Sequence, residues 1–381
     1  MIRVLIAGVS ARAAAESAAR AGFAVTAIDA FGDLDMHPSV RALAVGRDFG
    51  RPFSASAAAR AALDIECEAA VYLSNFENHP DAVTALAAGR SLWGNSPEVL
   101  RRVRNPVLLA NAFRERGIPV PSVRMNGNDS NDPNDPNDWV IKPLSSGGGH
   151  RVRRWSGSRV PRGCYLQELV DGIPGSVVFV AARGHAVPLG VSRQLIGDPA
   201  FGAHGYRYCG SILAGAGDAQ FAGDEALVEA ASGLASASAE DFGLIGVNGI
   251  DFMARDGVPL PIELNPRWCG SMELVERAYG LSVFGMHAAA CTDAVLPEFN
   301  LARARRGRDA VGKAVVFARQ DIAVGDTRSW LADADVRDVP HPGGRIAEGH
   351  PICTVLAAGA DASACYGALV RSASRIYTIL D

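Results

Sequence analysis

The sequence predicts a mixed α/β and α+β chain, and three observations carry that prediction. The opening of the chain alternates apolar runs with an alanine-rich stretch, a strand–helix–strand rhythm that builds a parallel sheet. Residues 249–267 instead hold two strand-like runs around Arg255-Asp256-Gly257, a hairpin signal. With 381 residues, 48% hydrophobic and 20% charged, the chain can fill two or three cores.

Taken in order, Arg3–Gly8 reads as the first strand. Ala11–Ala21 reads as a helix ended by Gly22, Phe23–Asp29 as the second strand, and Ala69–Ser74 as the third. Gly8-Val9-Ser10-Ala11 holds one glycine where a dinucleotide fold has three. Asp29 is therefore expected in the crevice at the strand ends rather than on a dinucleotide ribose. Ser96-Pro97-Glu98 starts a helix, with serine as N-cap and proline in the first turn. Asn105-Pro106 breaks it, Val107–Arg116 resumes up to Gly117, and Ile118-Pro119-Val120-Pro121 holds the chain extended. Between Asn126 and Asp138, Asn-Asp-Pro occurs twice in succession. The segment lacks the glycine and glutamate of a calcium loop and reads as a mobile surface loop. Further on, Lys313–Ala318 and Pro351–Ala357 read as strands, and Pro342-Gly343-Gly344 and Glu348-Gly349-His350 as turns. This predicts a small β-rich cap.

Charge and cysteine usage exclude several function classes. The net charge of −4, with acids and bases interspersed, gives no nucleic-acid or membrane surface. Arg303, Arg305, Arg306 and Arg308 read as a solvated surface run, since no aromatic residues interleave with them. The seven cysteines are scattered and form no C-x-x-C pair, which argues for a reducing cytoplasm against a disulfide framework or zinc site. The apolar start is too short for a signal peptide, and no apolar run of 18 residues is present.

Four stretches carry chemistry. Trp139-Val140-Ile141-Lys142-Pro143 is a buried strand that fixes a lysine. Ser145-Ser146-Gly147-Gly148-Gly149-His150 follows, with glycines that free backbone N–H groups to surround oxyanions. A point-charge ammonium beside such a loop suits phosphates, although glycine and serine also make linkers. In Tyr165–Val170, Glu168 interrupts an apolar strand; either a salt bridge or an adenine amino group would satisfy it.

The fourth stretch is the hairpin. Folding it symmetrically about Gly257 places Asp251 opposite Glu263. Pro259 and Pro261 share the parity of Glu263 and lack N–H groups, which puts the pair at non-hydrogen-bonded positions, where facing Cα atoms approach to about 4.5 Å. Two carboxylates that close repel. A divalent cation between them, or an arginine on one of them, would relieve the repulsion. Asn265 and Arg267 follow at the same parity, adding a neutral oxygen ligand and a guanidinium suited to a phosphoryl group or a carboxylate.

With these stretches in this order, the chain resembles the ATP-grasp superfamily of carboxylate–amine ligases, from its Rossmann-like opening to about residue 300. It looks closest to uncharacterised archaeal and bacterial members linked to C1-carrier cofactor biosynthesis. The resemblance implies four parts: a Rossmann-like domain at 1–104, a small lobe at 105–172, a large lobe at 173–308, and the β-rich cap at 309–381. ATP would bind through Lys142, Ser146, Gly147, Gly148, Gly149, Gln167, Glu168, Leu169, Val170 and Arg104. Asp251, Glu263 and Asn265 would hold two Mg²⁺, or Mn²⁺, and Arg267 and Arg193 would act on the transferring phosphoryl group. In three places the chain departs from the family pattern: Pro106 stands where a second lysine is usual, with Arg104 nearby; Gly175-Ser176 replaces a ribose-binding glutamate; and the tail from Lys313 matches poorly.

The implied reaction joins a small-molecule carboxylate to an amine through an acyl phosphate, with ADP and phosphate as products. Candidate reactants are glutamate with tyrosine, tyramine or another amine, in making methanofuran-type or pterin cofactors. A carboxyphosphate-forming carboxylase and a non-catalytic nucleotide-binding regulator are the alternatives. A homodimer is compatible with either enzyme. Cys269, beside Arg267, reads as packing; Tyr206, Glu273 and His287 are open between pocket and structural roles.

Overall fold

The computed structural model describes residues 1–125 and 138–380. The expected aspartate-rich loop therefore lies outside the described residues, except for Asp138. The opening sheet is parallel, with strands in the spatial order Arg41–Ala44, Ala24–Asp29, Arg3–Ala7, Ala69–Tyr72 and Ser91–Leu92. Its central strand is apolar and buried from Val4 to Ala7 because both faces are covered there. Val4 and Ile6 join the core shared with the large lobe, and Leu5 and Ala7 join a second core under the helices Ala55–Ala61 and Pro80–Leu86. Arg41–Ala44 and Ser91–Leu92, too short to show a pattern, were not foreseen. Asp29 is buried at its strand end, where its carboxylate accepts from the N–H groups of Ala11, Phe31 and Gly32.

Two capped helices lead out of this domain. Ser96 Oγ accepts from the Val99 N–H at the start of Pro97–Val103, and Asn105 Oδ1 accepts from Val107 and Leu108 at the start of Pro106–Glu115. The small lobe is a four-stranded antiparallel sheet in the order Val123–Arg124, Cys164–Glu168, Trp139–Pro143 and Arg153–Arg154. Trp139, Ile141 and Leu166 form its core. By strand alternation Val140 and Lys142 face the other way, toward the cavity described below.

The large lobe is an eight-stranded antiparallel sheet in the order Val258–Asn265, Gly246–Arg255, Ile173–Ala182, His185–Ile196, Tyr208–Leu213, Ala310–Phe317, Pro351–Gly359 and Val336–Arg337. The tail is β-rich, as the sequence predicts, and its two long strands run on from the lobe's own sheet through the pairing of Gly210 with Ala314. The unforeseen helix Ala362–Leu380 covers them with Cys365, Leu369, Ala373, Ile376 and Tyr377, an amphipathic stripe.

A buried ion cluster ties these parts together. Arg12, fully buried on the helix Arg12–Arg20, bonds to Asp338 at 2.7 Å, Glu273 at 2.8 Å and Glu16 at 3.1 Å. Lys313 pairs with the other oxygen of Glu273. Glu273 is thus structural, and burial opposes a charge that Arg12 and Lys313 nevertheless hold far below the usual carboxylate range. His287 is a core histidine on Val283–Thr292, accepting the Val247 N–H at 3.0 Å. One expectation is corrected: Arg305 is buried and paired with Asp224 and Glu225, so the arginine run is solvated only at Arg303, Arg306 and Arg308. All seven cysteines are free. Among the described residues no helix is long and apolar enough to cross a membrane.

Candidate nucleotide site between the lobes

The hairpin sets the geometry of the site. Asp251 pairs with Glu263, as expected, but by a different route. The turn is Asp256-Gly257, with positive φ of 53° and 78°, a tight two-residue bend closed by Arg255 and Val258. Symmetry about this bend would set Asp251 one residue out of register with Glu263. A β-bulge at Ile262 restores the match. The bulge also interrupts the ladder, so proline parity does not extend to Glu263. It leaves the Ile262 carbonyl to accept from Lys142 Nζ at 3.5 Å and Gln167 Nε2 at 3.3 Å. Lys142 Nζ also donates to Gln167 Oε1 at 3.0 Å, which fixes the lysine at the cavity wall.

The two carboxylates have divergent environments. Asp251 Oδ1 accepts from Gln194 Nε2 at 2.8 Å, and Oδ2 accepts from Asn265 Nδ2 at 2.9 Å. Burial, with the charge of Glu263 second, raises Asp251 to about 6. Burial pushes Glu263 the same way, but Arg104 and Lys142 outweigh it and hold that carboxyl below its ordinary value. Arg267 completes the line: Nη2 donates to Asn265 Oδ1 at 3.0 Å, Nη1 to the Trp268 carbonyl at 3.0 Å, and Nε to Glu77 at 2.8 Å.

These groups line one cavity of about 530 Å³, walled by both sheets. Every expected ATP-site residue from Lys142 through Val170 lines it, as do Arg104, Asp251, Glu263, Asn265, Arg267, Tyr206 and Cys269. Glu168 is satisfied in a third way, accepting the Ser122 N–H at 2.9 Å. The glycine loop is docked on the large lobe: the Tyr208 N–H donates to the Gly148 carbonyl at 3.1 Å, and a Cβ at Gly149 (φ +74°) would overlap the Tyr206 carbonyl oxygen.

Two of the expected residues stand in other surroundings than the resemblance implies. Arg193 is exposed and does not line the cavity; it lies near Tyr366 of the C-terminal helix. Adjacent strand residues face opposite sides, and it is Gln194 that reaches Asp251. Arg104, expected on phosphate, instead pairs with Glu263 and donates to the Ser146 carbonyl at 3.1 Å. The arginine alternative for the carboxylate pair is therefore the one seen, and it serves only Glu263. The donors still suit a hard divalent cation, with two carboxylates and an amide oxygen around a site where Asp251 is held up partly by its acidic neighbour. Among the described residues no three His, Cys, Asp or Glu side chains converge. Sequence reasoning missed Gln194, the Ile262 carbonyl and Glu77.

The family description "ATP-grasp domain" matches residues 103–271. The chain contains an ATP-grasp domain. That segment spans Arg104, the glycine loop, both carboxylates and Arg267. An uncharacterized protein of Methanocaldococcus jannaschii is 30% identical over 118 residues, which is 31% of this chain and 27% of that protein, so the match spans about a quarter of the relative's length. Likeness of fold extends beyond residues 103–271. An L-amino acid ligase from Bacillus licheniformis superposes with a TM-score of 0.68 at 15% identity, over 98% of this chain and 97% of that one. A biotin carboxylase from Campylobacter jejuni, in an ATP complex, gives 0.70 at 12% identity, over 97% and 90%.

Proposed function

We propose that the chain is an ATP-dependent, ADP-forming ligase that makes an amide bond through an acyl phosphate. The observation that carries this reading is one cavity, inside an ATP-grasp domain, shared by the Asp251–Glu263 pair, Lys142, the glycine loop and Arg267. ATP-grasp enzymes are ADP-forming ligases. Binding alone would not need opposed acids and a buried guanidinium beside them.

In this reading Glu168, Leu169 and Val170 hold the base, while Lys142 and the loop from Ser146 to Gly149 hold the phosphates. Two Mg²⁺, or Mn²⁺, on Asp251, Glu263 and Asn265 would neutralise the triphosphate. A carboxylate oxygen attacks the γ-phosphorus, the bond to the bridging oxygen breaks, and ADP leaves. The amine nitrogen then attacks the acyl carbon, phosphate leaves, and the nitrogen loses a proton. Arg267 and Lys142 stabilise the charge gathered in the first step, so catalysis is positional and electrostatic. Cys269 takes no covalent part, because burial pushes its thiol up to about 12. Glutamate with tyrosine, tyramine or another amine, as in building methanofuran-type or pterin cofactors, is the pair to test first. A homodimer in the cytoplasm completes the proposal.

The fold likeness to a biotin carboxylase favours a second reading, in which bicarbonate is the carboxylate and carboxyphosphate the intermediate. ADP release discriminates. Release dependent on an amine plus an organic acid supports the ligase, and release dependent on bicarbonate supports the carboxylase. No release with any partner supports a nucleotide-binding regulator.

A further inference from the structure

The cavity continues past Asp251 along the face of the large-lobe sheet. Gln194, bonded to Asp251, stands opposite Ser211 on the next strand, and Ser211 Oγ shares a hydrogen bond of 3.0 Å with the Tyr208 hydroxyl. All three line the cavity, as do Cys269, Gly270 and Ser271. Gly270 makes room for that hydroxyl, since a Cβ there would crowd it at 3.2 Å. From the strand of Asp251 to that of Ser211 the sheet runs three strand spacings, roughly 14 Å, long enough for a small organic acid. This arm is neutral. The cations lining the cavity among the described residues are Arg104, Lys142 and Arg267. Arg104 is tied to Glu263, and Lys142 to Gln167 and the Ile262 carbonyl, on the other side of Asp251. Arg267 stands at the arm's mouth, on Asn265. Lys313, opposite Ser211 on the following strand, is tied to Glu273 and does not line the cavity. Burial raises the Tyr208 phenol and the Cys269 thiol, so both stay uncharged.

We propose that this arm holds the tail of the acid substrate, and that the acid is a monocarboxylate whose tail bears a hydroxyl or a primary amide; the inference rests on the ligase reading above and names the substrate class for that site. Gln194 must turn Nε2 to the Asp251 carboxylate, which leaves its Oε1 to accept. The Tyr208 and Ser211 hydroxyls carry two protons and use one between them, which leaves one to donate. The arm thus offers one acceptor and one donor on facing residues, and a hydroxyl or a primary amide answers both. The reacting carboxylate lies against Arg267. A second carboxylate in the arm would set a charge beside Asp251 and the Gln194 oxygen with no cation to meet it, a costly burial. Glutamine is therefore a better acyl donor than glutamate.

Trapping with hydroxylamine tests this, because it captures acyl phosphates without a bound amine and so reads the acid site alone. The protein is given Mg·ATP, hydroxylamine and matched acids that differ only at the tail: 4-hydroxybutyrate, butyrate and succinate, glutamine and glutamate, and their homologues of two to six carbons. Hydroxamate formation is expected to favour the hydroxyl or amide member of a set over the carboxylate member tenfold or more in kcat/KM. In the Tyr208→Phe, Ser211→Ala double variant the preference for hydroxyl over methyl should fall at least fivefold. That ratio is taken within one protein, so loss of folded material cancels from it. Equal use of all tails by the native chain, or preference for the dicarboxylates, overturns the proposal. A native preference that the double variant retains overturns it as well, since the arm is then not what reads the tail. Absence of hydroxamate from the native chain with every acid defeats the ligase reading itself, and this inference with it.

Discussion

Arg104 and Glu263 form a partly buried ion pair that joins the end of the helix Pro97–Val103 to the acid strand of the hairpin, while Arg104 also donates to Ser146 in the glycine loop. One guanidinium thus fixes the loop against the carboxylate. Removing it leaves the Glu263 carboxylate short of one partner, which costs about 1 kcal/mol for a partly buried pair that keeps other cations nearby. Arg104→Ala is expected to lower stability by that amount in urea denaturation and kcat/KM for ATP more than tenfold. Arg104→Lys should recover only part of the activity, because an ammonium cannot span both partners as a planar fork does.

The docking of the glycine loop has its own signature. Any Cβ at Gly149 collides with the Tyr206 carbonyl, and the left-handed φ adds strain on the order of 1 kcal/mol. Gly149→Ala should therefore undock the loop and raise KM for ATP more than tenfold. The loop is peripheral to the cores, so the melting temperature should move by only a few degrees. An unchanged KM would show that this contact is dispensable for nucleotide binding.

Strand parity makes a further prediction. Arg193→Ala should leave KM for ATP within twofold. Gln194→Leu, which removes a donor from Asp251, should weaken Mg·ATP binding several-fold in equilibrium dialysis. The opposite pattern would mean that Arg193 reaches the phosphates after all.

His287 gives the fold a pH dependence. Burial lowers it from 6.5 to about 4, and it stays neutral to accept the Val247 N–H. The unfolded chain takes up the proton first, so this contribution is complete above pH 6.5 and is lost as pH falls toward 4. At pH 5 the loss is about 2 kcal/mol. Denaturant titrations of the native chain and His287→Gln at pH 7.5 and pH 5 should differ by that increment, with the variant less sensitive to acid.

Much of this was legible in the sequence because the signals were local. Caps at Ser96 and Asn105 act within three residues, and an Asp-Gly bend announces itself. The apolar run Val4–Ala7 reported a sheet covered on both faces. The site's glycines, lysine and acids were also readable, since each lies in or beside a short strand or bend with a local pattern. What escaped depended on distant partners. The bulge at Ile262 leaves no mark in composition, yet it decides register. Arg193 and Gln194 differ by one position, and only the sheet shows which faces Asp251. Glu77 acts 190 positions from Arg267 in sequence. An acid just past the parallel strand Ala69–Tyr72, at the sheet edge where ligands of such sheets bind, was the one clue available. The tail's strands found their partner in the large lobe, which no local pattern encodes.

Asp251 and Glu263 are proposed to serve a metal–nucleotide complex. Calorimetric titration of a non-hydrolysable Mg·ATP analogue into the native chain and into the Asp251→Asn, Glu263→Gln double variant tests this most directly. Saturable one-to-one binding by the native chain, weakened at least a hundredfold in the variant and dependent on Mg²⁺, is the predicted result. No binding by the native chain, or equal affinity in both proteins, would contradict it.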